Sequence, residues 1–218
     1  MSVAISSMFP VTCPVLQESN SLSSGSDGNG SCSNAGFSSA SLFERIQKNV
    51  VGKVGKRSVM KHFVSGNSSR LFDNLYTILK ERYPKNVAEK IISNIIKISL
   101  KLGVVTRENK LSEQLLDDLH SFQRCLKTLL LTVSSYGTLD FSYDYKYLKG
   151  LMDNVQIRLT HLTSELLSDK SVKRVGHIFH HLGDADFLDS ALRTGAPNNA
   201  LMKTICEDLD TLMENKSL

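Results

Sequence analysis

Cysteine is scarce in this chain of 218 residues: Cys13, Cys32, Cys125 and Cys206 are the whole set, widely spaced and without a CxxC pair. That spacing argues against a disulfide scaffold and for a reduced, intracellular protein. A membrane span is excluded as well, because the longest apolar stretch falls short of the ~20 residues needed and is cut by Lys97 and Lys101. The N-terminus has no basic stretch, and Pro10 and Pro14 break its short apolar run, so a secretory signal is not expected. Ser2 excludes N-myristoylation, and Lys216-Ser217-Leu218 is not the peroxisomal order. Catalytic signatures are missing too. There is no GxSxG, no glycine-rich phosphate loop and no paired-carboxylate motif, so nothing here supports an enzyme. Finally, no segment alternates like a strand over a useful length, which leaves an all-α fold.

Charge is unevenly distributed. Lysine and arginine total 26 against 22 acids, a formal +4. The first 36 residues hold Glu18 and Asp27 and no lysine or arginine, so removing those two negative charges leaves the remainder at +6. A basic body favours polyanionic surfaces, whether acidic lipid, nucleic acid or acidic protein. Residues 1–36 include QESNSLSSGSDGNGSCSNAG, which has too little apolar surface to offset the entropy of ordering it, and are expected to form a disordered tail. Residues 37–218 are long enough for one domain with a sizeable core.

The richest apolar signal is VAEKIISNIIKISLKLGVVTR, Val87 to Arg107. At about 100° per residue, Val87, Ile91, Ile95, Ile98, Leu102 and Val105 share one narrow arc, which Ile92, Ile96 and Leu100 widen past half the circumference. Only Lys90, Asn94, Lys97 and Lys101 form a polar stripe. A surface helix needs an apolar stripe roughly 100° wide. This helix is therefore expected to be a central wall, contacted from two sides.

Other helices follow from similar patterns. Ser38, Ser39 and Ser41 offer N-caps to a first helix with Leu42, Phe43, Ile46, Val50 and Val54 on one arc. Gly66 to Ser69 reads as a break, after which Leu71, Phe72, Leu75, Tyr76, Ile78 and Leu79 form an apolar face that Pro84 ends. Ser112 and Glu113 start a long helix with Leu115, Leu119, Phe122, Leu126, Leu129 and Val133 facing the core. Gly137 to Tyr145 reads as a loop, with Ser142 or Asp144 capping a helix striped by Leu148, Leu151, Val155, Leu159, Leu162 and Leu166. A turn at Ser168 to Ser171 precedes a helix to Leu182, then a short one to Arg193. Gly195 suits a C-cap region, and Pro197 the first turn of a last helix striped by Leu201, Ile205, Leu209 and Leu212. Short connections imply antiparallel neighbours.

Several clusters could carry chemistry. From residue 45 to 61 lie Arg45, Lys48, Lys53, Lys56, Arg57 and Lys61, opposed by Glu44 alone. A solvated helix face is one reading of this run, and docking on an anionic bilayer another, with headgroups attracting basic groups at roughly 1 kcal/mol each. Nucleic-acid binding is the third, disfavoured because no binding motif accompanies the run and stacking aromatics are sparse. His177 and His181, in HIFHH, sit at i,i+4, a spacing that can chelate metal. No glutamate lies between them and no third ligand is marked, so packing at a helix end is expected, with no metal. Asp184, Asp186 and Asp189 read as caps and a solvated face, and Cys125 and Cys206 as small core residues.

A set of short segments runs collinearly from Phe37 to about Asn215. These are Phe37-Ser38-Ser39, Arg57-Ser58-Val59, Asp140-Phe141-Ser142-Tyr143, Lys170-Ser171 with Arg174-Val175, His177-Ile178-Phe179-His180-His181 with Asp184, and Ile205-Cys206-Glu207. In joint order and spacing they resemble the TIPE family, the tumour necrosis factor-α-induced protein 8-like proteins. The resemblance implies a bundle of about six antiparallel helices around a central hydrophobic cavity, preceded by a mobile basic first helix over residues 37–64. It implies a non-enzymatic protein that binds and transfers phosphoinositides or other phospholipids and modulates apoptosis, survival and immune signalling. Such a protein would be cytoplasmic, visiting the anionic inner leaflet of the plasma membrane, with bound phospholipid as ligand, no cofactor and no nucleic acid. The family resemblance equally suggests a helical adaptor for signalling proteins.

The resemblance also implies sites. Lys48 and Arg107 match basic positions around the family's cavity mouth, and Lys53 and Arg124 are expected to join them at the headgroup and membrane surface. Asn49 stands where the family has the second basic residue of a pair, and Gln123 where it has a further arginine. The cavity is expected to be lined by Ile91, Ile95, Ile98, Leu102, Leu119, Phe122, Leu126, Val155 and Leu159. A solid core at the same positions is the competing expectation.

Overall fold

The computed structural model describes residues 37–51, 66–108, 111–139 and 142–214. All regular structure among them is helical: α1 Ser39–Val51, α2 Gly66–Arg82, α3 Lys85–Glu108, α4 Glu113–Thr138, α5 Tyr145–Leu166, α6 Asp169–Leu182, α7 Ala185–Leu192 and α8 Asn199–Glu214. The tail expected over residues 1–36 lies outside the described residues, as do Lys53 and the rest of the basic run over 52–65.

Local chemistry sets most boundaries. Ser112 Oγ accepts from Leu115 N–H, Asp144 from Tyr147 and Asp184 from Phe187, each capping a helix start. Pro84 separates α2 from α3, and Gly195, at φ 75°, supplies the left-handed residue of the turn before α8. Several boundaries differ from the sequence reading: Asp169 to Ser171, expected as a turn, is the first turn of α6, and Pro197 lies in a turn just before α8 rather than in its first turn. The stretch Gly66 to Ser69 is the first turn of α2 rather than a break. Likewise Gly137, expected to open a loop, lies inside α4. Its missing side chain explains this, because a Cβ there would overlap Cys206 Sγ and come within 3.3 Å of Cys206 Cβ. The glycine lets α8 lie against α4.

Helix α3 is the wall that its apolar arc predicts. Helices α1 and α2 pack along it, α6 lies on another side, and α5 also touches it. Ile91, Ile92, Ile95, Ile96, Ile98, Leu100 and Leu102 are all buried. Cross-helix pairs give the directions. Asp118 meets His161 and Ser121 meets Arg158, so α4 and α5 run antiparallel; Asn94 faces His177 and Lys101 faces Ser171, so α3 and α6 do too.

Polar groups tie the outer helices to this frame. Asp208 of α8 is wholly buried and is held by the Arg70 guanidinium of α2. Ser134 donates to Asp210 at 2.8 Å, joining α4 to α8. Tyr83 donates to the His181 carbonyl at 2.8 Å, and burial pushes its phenol up to about 12. Cys206 is buried, as its helical stripe suggests, with burial raising its thiol to about 12, while Cys125 is half-buried.

The contact between Gly137 and Cys206 gives a direct test. Gly137→Ala overpacks the α4–α8 seam and is expected to cost about 1–3 kcal/mol in chemical denaturation. Cys206→Ala in the same chain should recover most of the loss, because it removes the atom that the new methyl meets.

Candidate functional site

Close packing of seven helices leaves a void of about 120 Å³ in the middle of the bundle. Every side chain on it is apolar. Leu71, Leu75 and Ile78 come from α2, Ile95 and Ile98 from α3, Phe122 to Val133 from α4, and Leu148 to Leu159 from α5; the far side is closed by α6, α7 and α8 through residues such as Phe179, Phe187 and Ile205. On both α4 and α5 the lining spans twelve residues, eleven steps or about 16 Å at 1.5 Å per residue. The residues that line the space are thus drawn out along the bundle like the walls of a slot. Its volume is below the ~150 Å³ of a cavity that takes a single benzene, and left empty it forfeits ~3 kcal/mol at about 24 cal/mol per Å³.

Six of the nine predicted lining residues meet on this void: Ile95, Ile98, Phe122, Leu126, Val155 and Leu159. Ile91, Leu102 and Leu119 are buried but not on it. Leu102 and Leu119 lie where α3 ends and α4 begins, about one turn beyond the lining positions, and Ile91 lies one turn the other way. Periodicity assigns a side to a residue and says nothing of its level along the bundle. Sequence reasoning missed the contributions of α2, α6, α7 and α8. Their stripes were visible, but their partners across the core were not.

The expected basic positions lie elsewhere. Lys48 is exposed in the last turn of α1, and Arg124 is exposed on α4 two residues past Phe122. Arg107 lies in the last turn of α3. Ser39 N–H donates to Asp73, Ser39 Oγ donates to the Ser69 carbonyl, and Phe37 stacks on Tyr76. As α1 begins, it therefore heads toward the start of α2, the end of the bundle where α3 finishes and α4 starts.

The profile of the tumor necrosis factor alpha-induced protein 8-like family matches residues 37–216. The chain belongs to this family. A tumor necrosis factor alpha-induced protein 8-like protein of Drosophila pseudoobscura pseudoobscura is 32% identical over 179 residues, 82% of this chain and 95% of that protein. The protein salivary glands marred of Drosophila melanogaster matches to the same extent, and the chicken tumor necrosis factor alpha-induced protein 8-like protein 1 is 31% identical over 84% of this chain and 98% of its own length.

In this member of the family the histidine segment HIFHH packs in the last turns of α6. His181 Nδ1 donates to the His177 carbonyl at 2.9 Å, the rings of His177 and His181 lie 4.5 Å apart, and Asn94 Nδ2 donates to His177 Nδ1 at 3.5 Å. No group of three metal-ligating side chains occurs among the described residues. No described helix is long and apolar enough to cross a membrane. Burial, and then the neighbouring His181, Lys90 and His180, hold the His177 imidazole below its ordinary value of 6.5. The sign of the effect follows. As pH falls below 6.5 the unfolded chain takes up a proton at His177 that the folded chain resists, so stability falls with pH. Between pH 6.5 and about 5, above the carboxylate range, His177→Gln is expected to lose less stability than the parent, as measured by chemical denaturation at successive pH values.

Proposed function

We propose that this chain is a non-enzymatic carrier of phospholipid, and that it acts in tumour-necrosis-factor-linked apoptosis and immune signalling. The void carries the reading. A void whose lining side chains are all apolar and run about 16 Å along two helices suits a hydrocarbon chain, and burying each methylene in it is favourable by ~0.8 kcal/mol. A full acyl chain needs more room than 120 Å³, so loading widens the slot. Met152 and Met202 on the lining are unbranched and adaptable enough to help. The phosphorylated headgroup cannot follow the tail inside without a large desolvation cost. It stays outside, with Lys48, Arg107, Arg124 and Lys53 as the basic residues proposed to meet it. Phosphoinositides are the headgroups expected from the family resemblance, while Asn49 and Gln123, uncharged at positions that are basic in the family, extend the preference to other phospholipids. The names of the relatives refer to induction by tumor necrosis factor alpha, which supports the signalling context. Cytoplasmic residence with peripheral contact to the inner leaflet follows from the same reading.

The small volume also favours a second reading, in which the bundle is a filled helical adaptor for signalling proteins. Native mass spectrometry of the purified chain separates the two. The carrier reading expects one bound lipid, and Val155→Phe, which intrudes on the slot, should lower lipid occupancy at least tenfold with helicity intact. It also expects Lys48→Glu with Arg107→Glu to abolish phosphoinositide transfer between liposomes. A chain that never holds lipid, and a charge-reversed chain that transfers as fast as the parent, would leave the adaptor.

A further inference from the structure

From Asn94 to Lys101 the polar stripe of α3 is turned toward α6 rather than water, and only Lys90, a turn earlier, is exposed. Helix α6 lies along it in antiparallel register, with Asn94 opposite His177 at one end and Lys101 Nζ 3.5 Å from the buried Ser171 hydroxyl at the other. Between these rungs sit Lys97 and Arg174, and Lys170 precedes Ser171. Two cations at i,i+4 on each helix therefore oppose one another across one seam. Among the described residues none of the four is ion-paired with a carboxylate, and Asp169, the acid nearest in sequence on α6, is exposed. Arg174 has a buried guanidinium nitrogen, Nη1, with no hydrogen-bond partner. A buried charged donor left unmet is costly, and like charges gathered in a half-buried groove repel. The repulsion is felt. Burial first, and then Arg174 and Lys170, hold the ammonium groups of Lys97 and Lys101 below the ordinary lysine value. The groove also lies at the positive end of α6, whose N-cap Ser168 makes no side-chain cap bond.

We propose that the α3–α6 seam binds a compact anion carrying two or more charges on phosphate oxygens. This site is separate from the hydrocarbon slot, since Lys97 and Lys101 lie roughly 110° round α3 from Ile95 and Ile98 at ~100° per residue. Compactness follows from cover. Lys97, Lys101 and Arg174 are half-buried, and only Lys170 is exposed, so a single phosphorylated group, on a small ester or on a headgroup that protrudes from its lipid, can enter where an extended polyanion meets too few protruding cations. An anion in the seam satisfies Arg174 Nη1 and cancels the repulsion in one step. The inference does not depend on lipid in the slot, and a lipid-free bundle would leave it standing.

Calorimetric titration of the full chain with inorganic pyrophosphate, against chloride at matched ionic strength, tests the site. One saturable site per chain is expected, weakened at least tenfold by Lys101→Gln and by Arg174→Gln and severalfold by Lys170→Gln. Without pyrophosphate the lysine variants should melt no lower than the parent, because each removes a repelling charge, whereas a purely structural role would lower their melting temperature. Should Arg174→Gln fail to fold, the two lysine variants carry the test. Absence of saturable binding, or equal affinity in the parent and both lysine variants, overturns the proposal. With pyrophosphate binding established, sedimentation with phosphatidylcholine vesicles containing or lacking phosphatidylinositol bisphosphate identifies the source. A loss in the variants that parallels the pyrophosphate result assigns the phosphate to a lipid headgroup, and unchanged sedimentation assigns it to a soluble phosphate ester.

Discussion

The width of the apolar arc on α3 is the constraint from which the architecture follows. A helix that is greasy over more than half its circumference cannot be satisfied by one neighbour. Helices α1, α2, α5 and α6 all contact it, and together they bury its isoleucines and leucines. Once α3 is central, the short connections force antiparallel neighbours, and α4, α5 and α8 close the other side. The void appears where this second layer faces Ile95 and Ile98. It is bounded by seven helices that each present a stripe to a shared centre, and stripes of leucine and isoleucine on straight helices do not fill the middle of such a ring completely.

Two kinds of unfinished packing result, and they differ in chemistry. On one side of α3 the unmet demand is apolar: a thin slot whose walls lack contact atoms, a deficit that hydrocarbon can supply. On the polar stripe the demand is electrostatic: four cations and an unpartnered guanidinium nitrogen between α3 and α6, a deficit that an anion would supply. Elsewhere among the described residues, Ser99 Oγ apart, buried polar side chains are paired, as where Arg70 reaches in to Asp208, Ser134 donates to Asp210, and Thr163 donates back to the Leu159 carbonyl. Against that background the unpaired seam is conspicuous.

Much of the fold was legible because periodicity reports which face of a helix is buried. The arcs on α2, α3, α4, α5 and α8 lie inside the bundle, and the caps at Ser112, Asp144 and Asp184 mark true helix starts. Reading failed where a local signal was overruled by a distant neighbour. Gly137 looks like a loop residue until Cys206 is seen against it. The site was only half legible for a related reason. A hydrophobic stripe gives the angle of each residue but not its level, so Ile91, Leu102 and Leu119 were grouped with residues that line the slot although they pack above or below it. The residues on α6 and α7 that close the slot carry no local signal that distinguishes them from ordinary core.

The central claim is that the interior has a defined hydrocarbon-shaped space. Titration of the delipidated chain with a long-chain fatty acid whose fluorescence rises only in an apolar environment addresses it most directly. The account predicts uptake that saturates at one probe per chain and raises the melting temperature. A well-folded chain that shows no saturable uptake at any probe concentration below the probe's own aggregation would contradict it.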